Sequence, residues 1–213
     1  WFKNTPWYDR YEGQPHDIYL PMSLSRINKN GETKTADYFD ILTIDNSYGT
    51  MPDNCVVEPL PHILKSFKDS ADSPAPFVWL YPVKEYTHTK DEHNLNAMFF
   101  LDWMFTDAVN NSFPMSSVIS TDNFNIVDKN IFKDSVVVSP IPYPNTEWEN
   151  SVIDYIVNGG KIILVGGLDN ASEKIRDLLK IGIVSETKIE EFALDGSPVK
   201  DTAKIEKYAD KLI

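Results

Sequence analysis

The hydrophobic pattern is clearest from Ser135 to Leu168, which reads SVVVSPIPYPNTEWENSVIDYIVNGGKIILVGGL. Val136, Val137 and Val138 form an uninterrupted apolar run, as in a strand covered by helices on both faces. Trp148, Val152, Tyr155 and Ile156 then recur at helical spacing and predict one apolar stripe laid on a sheet. Thr146 and Glu149 stand at the head of that stripe as a capping box, in which each side chain satisfies an amide at the helix start. Gly159 and Gly160 stop the helix, with Gly160 expected in the left-handed conformation, and Ile162 to Val165 returns as the next buried strand. The segment is one βαβ unit.

The same reading extends along the chain. Residues 1–16 (WFKNTPWYDRYEGQPH) are aromatic, charged and aperiodic, an irregular lead-in that packs Trp1, Trp7, Tyr8 and Tyr11 onto something else. Ile18 to Ile27 looks extended and is followed by a turn at Asn30-Gly31. Phe39 to Ile44 predicts a strand, and Leu60, Ile63, Leu64 and Phe67 give the buried stripe of a helix opened by Pro59 and Pro61. Phe77 to Leu80 is a strand, Lys84 to Asn94 a polar loop, and Leu95 to Val109 a strongly apolar helix. Ser117 to Ser120 is a short strand and Ile126 to Phe132 a helical turn. Asn170 with Glu173 caps a helix that buries Ala171, Ile175, Leu178 and Leu179. Beyond it, Ile183 and Ile189 to Phe192 suggest edge strands, and a charged helical tail starts at Thr202. Strands near 40, 78, 118, 137 and 163 with helices between them must be joined by crossovers. The expected fold is therefore a three-layer, doubly wound, mainly parallel α/β sheet. Three parts are expected: an aromatic lead-in and extended segment over 1–35, the α/β domain over 36–182, and a C-terminal extension over 183–213.

Charge narrows the partners. The 213 residues carry 20 Lys and Arg against 32 Asp and Glu, a net charge of −12. Such a surface repels nucleic acid and anionic membranes. No run approaches the roughly 18 apolar residues that span a bilayer. The chain opens on Trp1, which fits a segment of a longer protein, and the single Cys55 supplies no disulfide framework.

Candidate chemistry is sparse. Cys55 would need a base such as His62 to act as a nucleophile, and reads better as a small buried residue. His88, Asp91, Glu92 and His93 match no metal-ligand spacing, so no metal is expected. Ser47 and Ser139 follow strands but lie in no Gly-x-Ser-x-Gly elbow. The glycine pairs lack the dinucleotide spacing, and no cofactor is expected. Asp102 and Asp107 fall on different faces of their helix and read as solvent-facing. The rings of Tyr19, Tyr81 and Tyr86, with those of the lead-in, suit packing first and sugar stacking second.

In an open α/β sheet a ligand sits where the winding reverses, at the carboxyl ends of the strands. Those ends carry Asp45, Asn46 and Tyr48, then Tyr81 and Glu85, then Asp122 and Asn123, then Tyr143 and Asn145. These rings, carboxylates and amides suit a neutral polyol. The apolar surplus of Met98, Phe99, Leu101, Trp103, Met104 and Phe105 points to self-association or docking, or to cover by residues 1–16.

The motifs FVWLYP, DWMFTDAVNNSFP, SSVIS, VVVSPIP and above all YIVNGGKIILVGG, between Phe77 and Leu168, resemble class I glutamine amidotransferase-like domains of flavodoxin-like fold. The similarity is strongest to the non-catalytic trimerisation domain that follows the barrel in family 42 β-galactosidases. Active members carry a Gly-x-Cys-x-Gly elbow and a later His; this chain has no such elbow and no His after His93, so no catalytic residue carries over. The resemblance implies a catalytically silent accessory or oligomerisation domain of a larger bacterial carbohydrate-active protein. Its partner would be a neighbouring domain of the same polypeptide or a second copy. An independent hydrolase acting on a sugar or amide, and a carbohydrate-binding module, are the alternatives.

Overall fold

A computed structural model describes residues 18–38, 57, 59–90, 92–168, 171–182, 193–194 and 197–198. In chain order the elements are α1 (Tyr19–Met22), β1 (Ser25–Ile27), β2 (Thr33–Lys34), α2 (Leu60–Lys68), β3 (Phe77–Tyr81), α3 (Val83–His88) and α4 (Glu92–Asn110). There follow β4 (Ser117–Ser120), α5 (Thr121–Ile126), a 3₁₀ turn (Lys129–Phe132), β5 (Val136–Pro140), α6 (Glu147–Val157), β6 (Ile162–Val165) and α7 (Glu173–Leu179). A separate antiparallel pair joins β7 (Ala193–Leu194) to β8 (Ser197–Pro198).

The sheet runs β2-β1-β4-β3-β5-β6. All its neighbours are parallel except β1 and β2, which form a hairpin with Ile27 opposite Thr33. Counted from β3, the order β4-β3-β5-β6 is the 2-1-3-4 start of the flavodoxin-like arrangement, with β1 added outside β4. The expected fold class is thus observed. Of the segment expected to be extended, Ile18 to Ile27, residues 19–22 form α1 instead; only Ser25–Ile27 is strand, and with Thr33–Lys34 it continues the sheet beyond β4.

Alternation along β3 sorts the core into two layers. Val78 and Leu80 pack with Ile119, Phe124, Phe132, Trp148 and Val152, under α5, the 3₁₀ turn and α6. Trp79 points the other way and packs with Leu101, Met115 and Val138 under α4, its ring stacked on Phe105 at 5.5 Å. At the amino end, Ala75 is clamped on both sides: its N–H donates to the buried Ser117 hydroxyl at 2.9 Å, and its carbonyl accepts from Ser135 at 2.7 Å. Ser117 also shares a hydrogen bond with Ser25 at 2.9 Å across the β1–β4 seam.

Several local expectations need correction. Residues 84–94 are not a loop, because α3 and the first turn of α4 occupy most of them. The turn expected at Ile126 to Phe132 is split between α5 and the 3₁₀ turn. On α2 only Ile63 of the expected stripe is buried, whereas Leu60 and Leu64 are exposed. Ser172, not Asn170, caps α7, its hydroxyl accepting from Ile175 N–H. The Thr146 hydroxyl caps α6 through Glu149 N–H as expected, but the Glu149 carboxylate reaches one residue further back, to Asn145 N–H at 2.8 Å. Left-handed geometry falls on Gly159, with φ 86°, and not on Gly160. Gly160 N–H closes on Tyr155 O and Gly159 N–H on Ile156 O, the paired bonds of a Schellman ending. Gly31 takes the positive φ that its turn requires. The strand expected at Phe39 to Ile44 and the elements expected at Ile183, at Ile189 to Phe192 and from Thr202 lie outside the described residues.

Candidate functional site

The winding of the sheet selects one place. From β3 the chain crosses to β4 on one side, while from β5 it crosses to β6 on the other, and β3 and β5 are neighbours. Their carboxyl ends therefore flank the reversal point. Short α3 sits over this rim. It begins at Pro82 with no side-chain cap, so its local signals are weak and long-range contacts hold it.

Those contacts form a brace. Thr121 Oγ1, the first residue of α5, donates to Glu85 Oε2 at 2.8 Å. Lys84 pairs with Asp122 at 3.6 Å, both side chains being exposed. The hydroxyls of Thr89 and Tyr143 meet at 3.4 Å, tying the end of α3 to the β5–α6 loop. Tyr81 Oη donates to Asp102 Oδ2 on α4 at 3.3 Å, and Asn123 Nδ2 donates to Ile27 O at 3.1 Å. Tyr86 plugs the middle: it is 8% exposed, meets the Tyr81 ring edge-on at 5.6 Å, and its hydroxyl has no protein partner.

Burial dominates the electrostatics here. It pushes the Tyr86 hydroxyl far above its ordinary value, with Asp102, Tyr143 and Tyr81 adding to the effect. Tyr81 rises for the same reason, helped by Asp102. The Asp102 carboxyl is also raised by burial, against the opposing hydrogen bond from Tyr81. The phenols are thus neutral donors at physiological pH. Asp102 is half-buried and not solvent-facing as expected, whereas Asp107 is exposed and accepts from Asn111.

Of the expected ligand residues, Tyr81, Glu85, Asp122, Asn123 and Tyr143 do gather along this rim, each engaged with another element of the fold. Asp45, Asn46 and Tyr48 lie outside the described residues. Sequence reasoning missed Tyr86, Asp102, Thr89 and Thr121 as rim residues. No local signal marks Tyr86, since α3, which follows β3 directly after Pro82, has no side-chain cap and no repeated apolar stripe. Glu149, expected only as a capping residue, is fully buried beside the rim loop, with Oε1 unpartnered and Asn145 held at φ 61°.

The remaining candidates fall elsewhere. Cys55, Ser47 and Asp91 lie outside the described residues. His88 is exposed, with Nδ1 on Lys84 O at 2.7 Å, and Ser139 Oγ is buried, donating to Pro140 O. Among the described residues no three His, Cys, Asp or Glu side chains are grouped to hold a metal ion, and no helix is long and apolar enough to cross a membrane. Two clefts open at the amino edge of the sheet. One, of about 260 Å³, lies between α1 and the end of α4, lined by Tyr19, Asp69 and Phe113. The other, of about 630 Å³, lies between the 3₁₀ turn and the end of α6, lined by Asn125, Lys129, Asp154 and Lys161. Lys129 is structural there: its ammonium lies over the Phe124 ring and donates to the carbonyls of Phe124 and Val127, and burial lowers its pKa.

Fold and rim together define a three-layer α/β domain in which described side chains bridge the elements around the switch point. Comparison with protein-family models, with curated proteins and with solved structures finds no match.

Proposed function

We propose that the chain is a catalytically silent accessory domain of a larger carbohydrate-active protein, serving as a rigid scaffold for a neighbouring module or a second copy. The observation that carries this reading is the cross-bracing of the switch point. Acid–base or nucleophilic catalysis needs a polar group that faces substrate and is free to exchange a proton. Here Glu85 is committed to Thr121, Asp102 to Tyr81, and Tyr143 to Thr89, each pair joining different elements. Such pairs fix the relative positions of α3, α4, α5 and the β5–α6 loop, as a scaffold requires. The motifs between Phe77 and Leu168 supply the link to carbohydrate-active proteins.

The test is turnover by the isolated chain. Glutamine and a panel of aryl glycosides and acyl amides should be hydrolysed no faster than in buffer. Hydrolysis of any of them that is lost in Glu85→Gln or Asp102→Asn, with the fold intact by circular dichroism, would replace the scaffold with an enzyme.

A further inference from the structure

The outer face of α4 carries a feature that the core does not explain. Leu101 is buried, and Phe100, Met104, Phe105 and Ala108 pack towards the sheet. Phe99 and Trp103 point away from it, 65% and 62% exposed. They stand one helical turn apart, about 6 Å along the axis at 1.5 Å per residue. The two rings make no contact with each other or with any other described aromatic ring, so each presents a free face. Asn96 and Asn110 extend the same exposed stripe, and neither amide is committed to a hydrogen bond within the described residues. From one amide to the other the stripe runs about 21 Å.

We propose that this stripe is a stacking platform for a neutral oligosaccharide lying along α4. Flat rings present apolar faces to the C–H faces of pyranoses, and free amides at both ends meet hydroxyls that a purely apolar partner lacks. One helical turn is close to the length a pyranose adds to an extended chain, so the two rings address successive sugars.

Charge decides among the occupants. Nucleobases also stack on exposed rings, but α4 carries no Lys or Arg to meet phosphates, and the chain's net charge is −12. A second copy would bring the same net charge and the same exposed Asp107 against the patch. A neutral polyhydroxylated chain incurs neither repulsion. The inference deepens the accessory-domain reading, and the two fail separately: turnover overturns the first, and loss of glycan binding overturns the second.

The experiment is calorimetric titration of the chain with neutral β-linked tetrasaccharides of glucose, galactose and mannose. At least one should bind, and Phe99→Ala and Trp103→Ala should each weaken it roughly tenfold, the scale at which stacked rings contribute. Both side chains are exposed, so melting curves should not move. Phe99→Leu and Trp103→Leu, which keep apolar surface but lose the flat face, should weaken binding nearly as much, and Thr121→Val should leave it unchanged. The proposal is overturned if no tetrasaccharide binds, or if binding survives both alanine variants. It is also overturned if sedimentation shows a dimer that Trp103→Ala dissociates and Trp103→Leu keeps, since the occupant is then a second copy.

Discussion

The end of α6 offers a quantitative test of the packing. A Cβ added at Gly160 would lie 2.5 Å from Cε1, Cε2 and Cζ of Tyr155, far inside contact distance. The ring has little room to retreat: it is 6% exposed and meets Phe124 and Phe132 edge-on at 5.5 and 6.2 Å. Overpacking of this kind costs about 1–3 kcal/mol, whereas removing a glycine from the unfolded chain returns about 0.4–1 kcal/mol. Gly160→Ala is therefore expected to destabilise by about 1–2 kcal/mol. Gly159→Ala meets nothing within 4 Å and carries only the strain of φ 86°, about 1 kcal/mol. The total costs overlap, so the discriminating quantity is the coupling to Tyr155. Urea unfolding of Gly160→Ala, Tyr155→Leu and the double variant should show an interaction energy of about 1 kcal/mol in the direction of relief. The parallel cycle through Gly159 should show little coupling. Equal coupling in the two cycles, or full stability of Gly160→Ala, would refute the assignment of the clash.

Three further outcomes follow from the rim and the seam. Thr121→Val removes the donor to a partly buried carboxylate, and should cost about 1.5 kcal/mol and roughly 3–6 °C in thermal melting; an unchanged melt contradicts the brace. Ser117→Ala leaves the buried Ala75 N–H without an acceptor, at about 2 kcal/mol. Ser25→Ala should cost less because Ala75 keeps its acceptor, and a reversed order in urea midpoints would count against the clamp. Because Asp102 is raised on folding, the native state takes up its proton more readily than the unfolded chain. The stability from that proton is full below the ordinary aspartate value of about 3.9 and is lost as pH rises through the raised folded value. Asp102→Asn should therefore gain on the wild type between pH 4 and pH 7 in urea midpoint, and a constant difference would rule out the burial effect.

Legibility tracked the range of the interactions. The elements of the β5–α6–β6 unit are readable because their signals are local: a valine run, a stripe at helical spacing, a Thr cap and a glycine stop. The burial expected of Ile162 to Val165 is not observed, because β6 has a described neighbour on one side only and Ile163 is exposed. Assigning the turn to Gly160 failed because either glycine satisfies the local pattern. Only the approach of Tyr155 shows that Gly160 must be small while Gly159 must turn. α3 was invisible, because LysGluTyrThrHis has no capping side chain and no repeated stripe; it is held by Thr121, 36 residues on from Glu85. The rim residues were locatable from strand order, but their partners were not. Asn123 reaches Ile27 over 96 residues, and no window of sequence records such a bond.

The seam between β1 and β4 has a consequence for how the chain reaches this state. Ser25 and Ser117 meet across 92 residues, whereas β5 and β6 are joined by a single helix and its loops. Closing the longer loop costs more chain entropy before any contact rewards it, so β3 to β6 are expected to condense before β1 docks, an order that φ-values at Ser25 and Val137 would check. Until then the outer edge of β4 stands open to pairing with other chains during synthesis and refolding. With β1 in place, the outer described strand on this side is β2, which is only two residues long and ends in an exposed lysine, a poor template for another strand. Among the described strands, the β1–β2 hairpin thus covers the edge of β4 that would otherwise recruit a foreign strand.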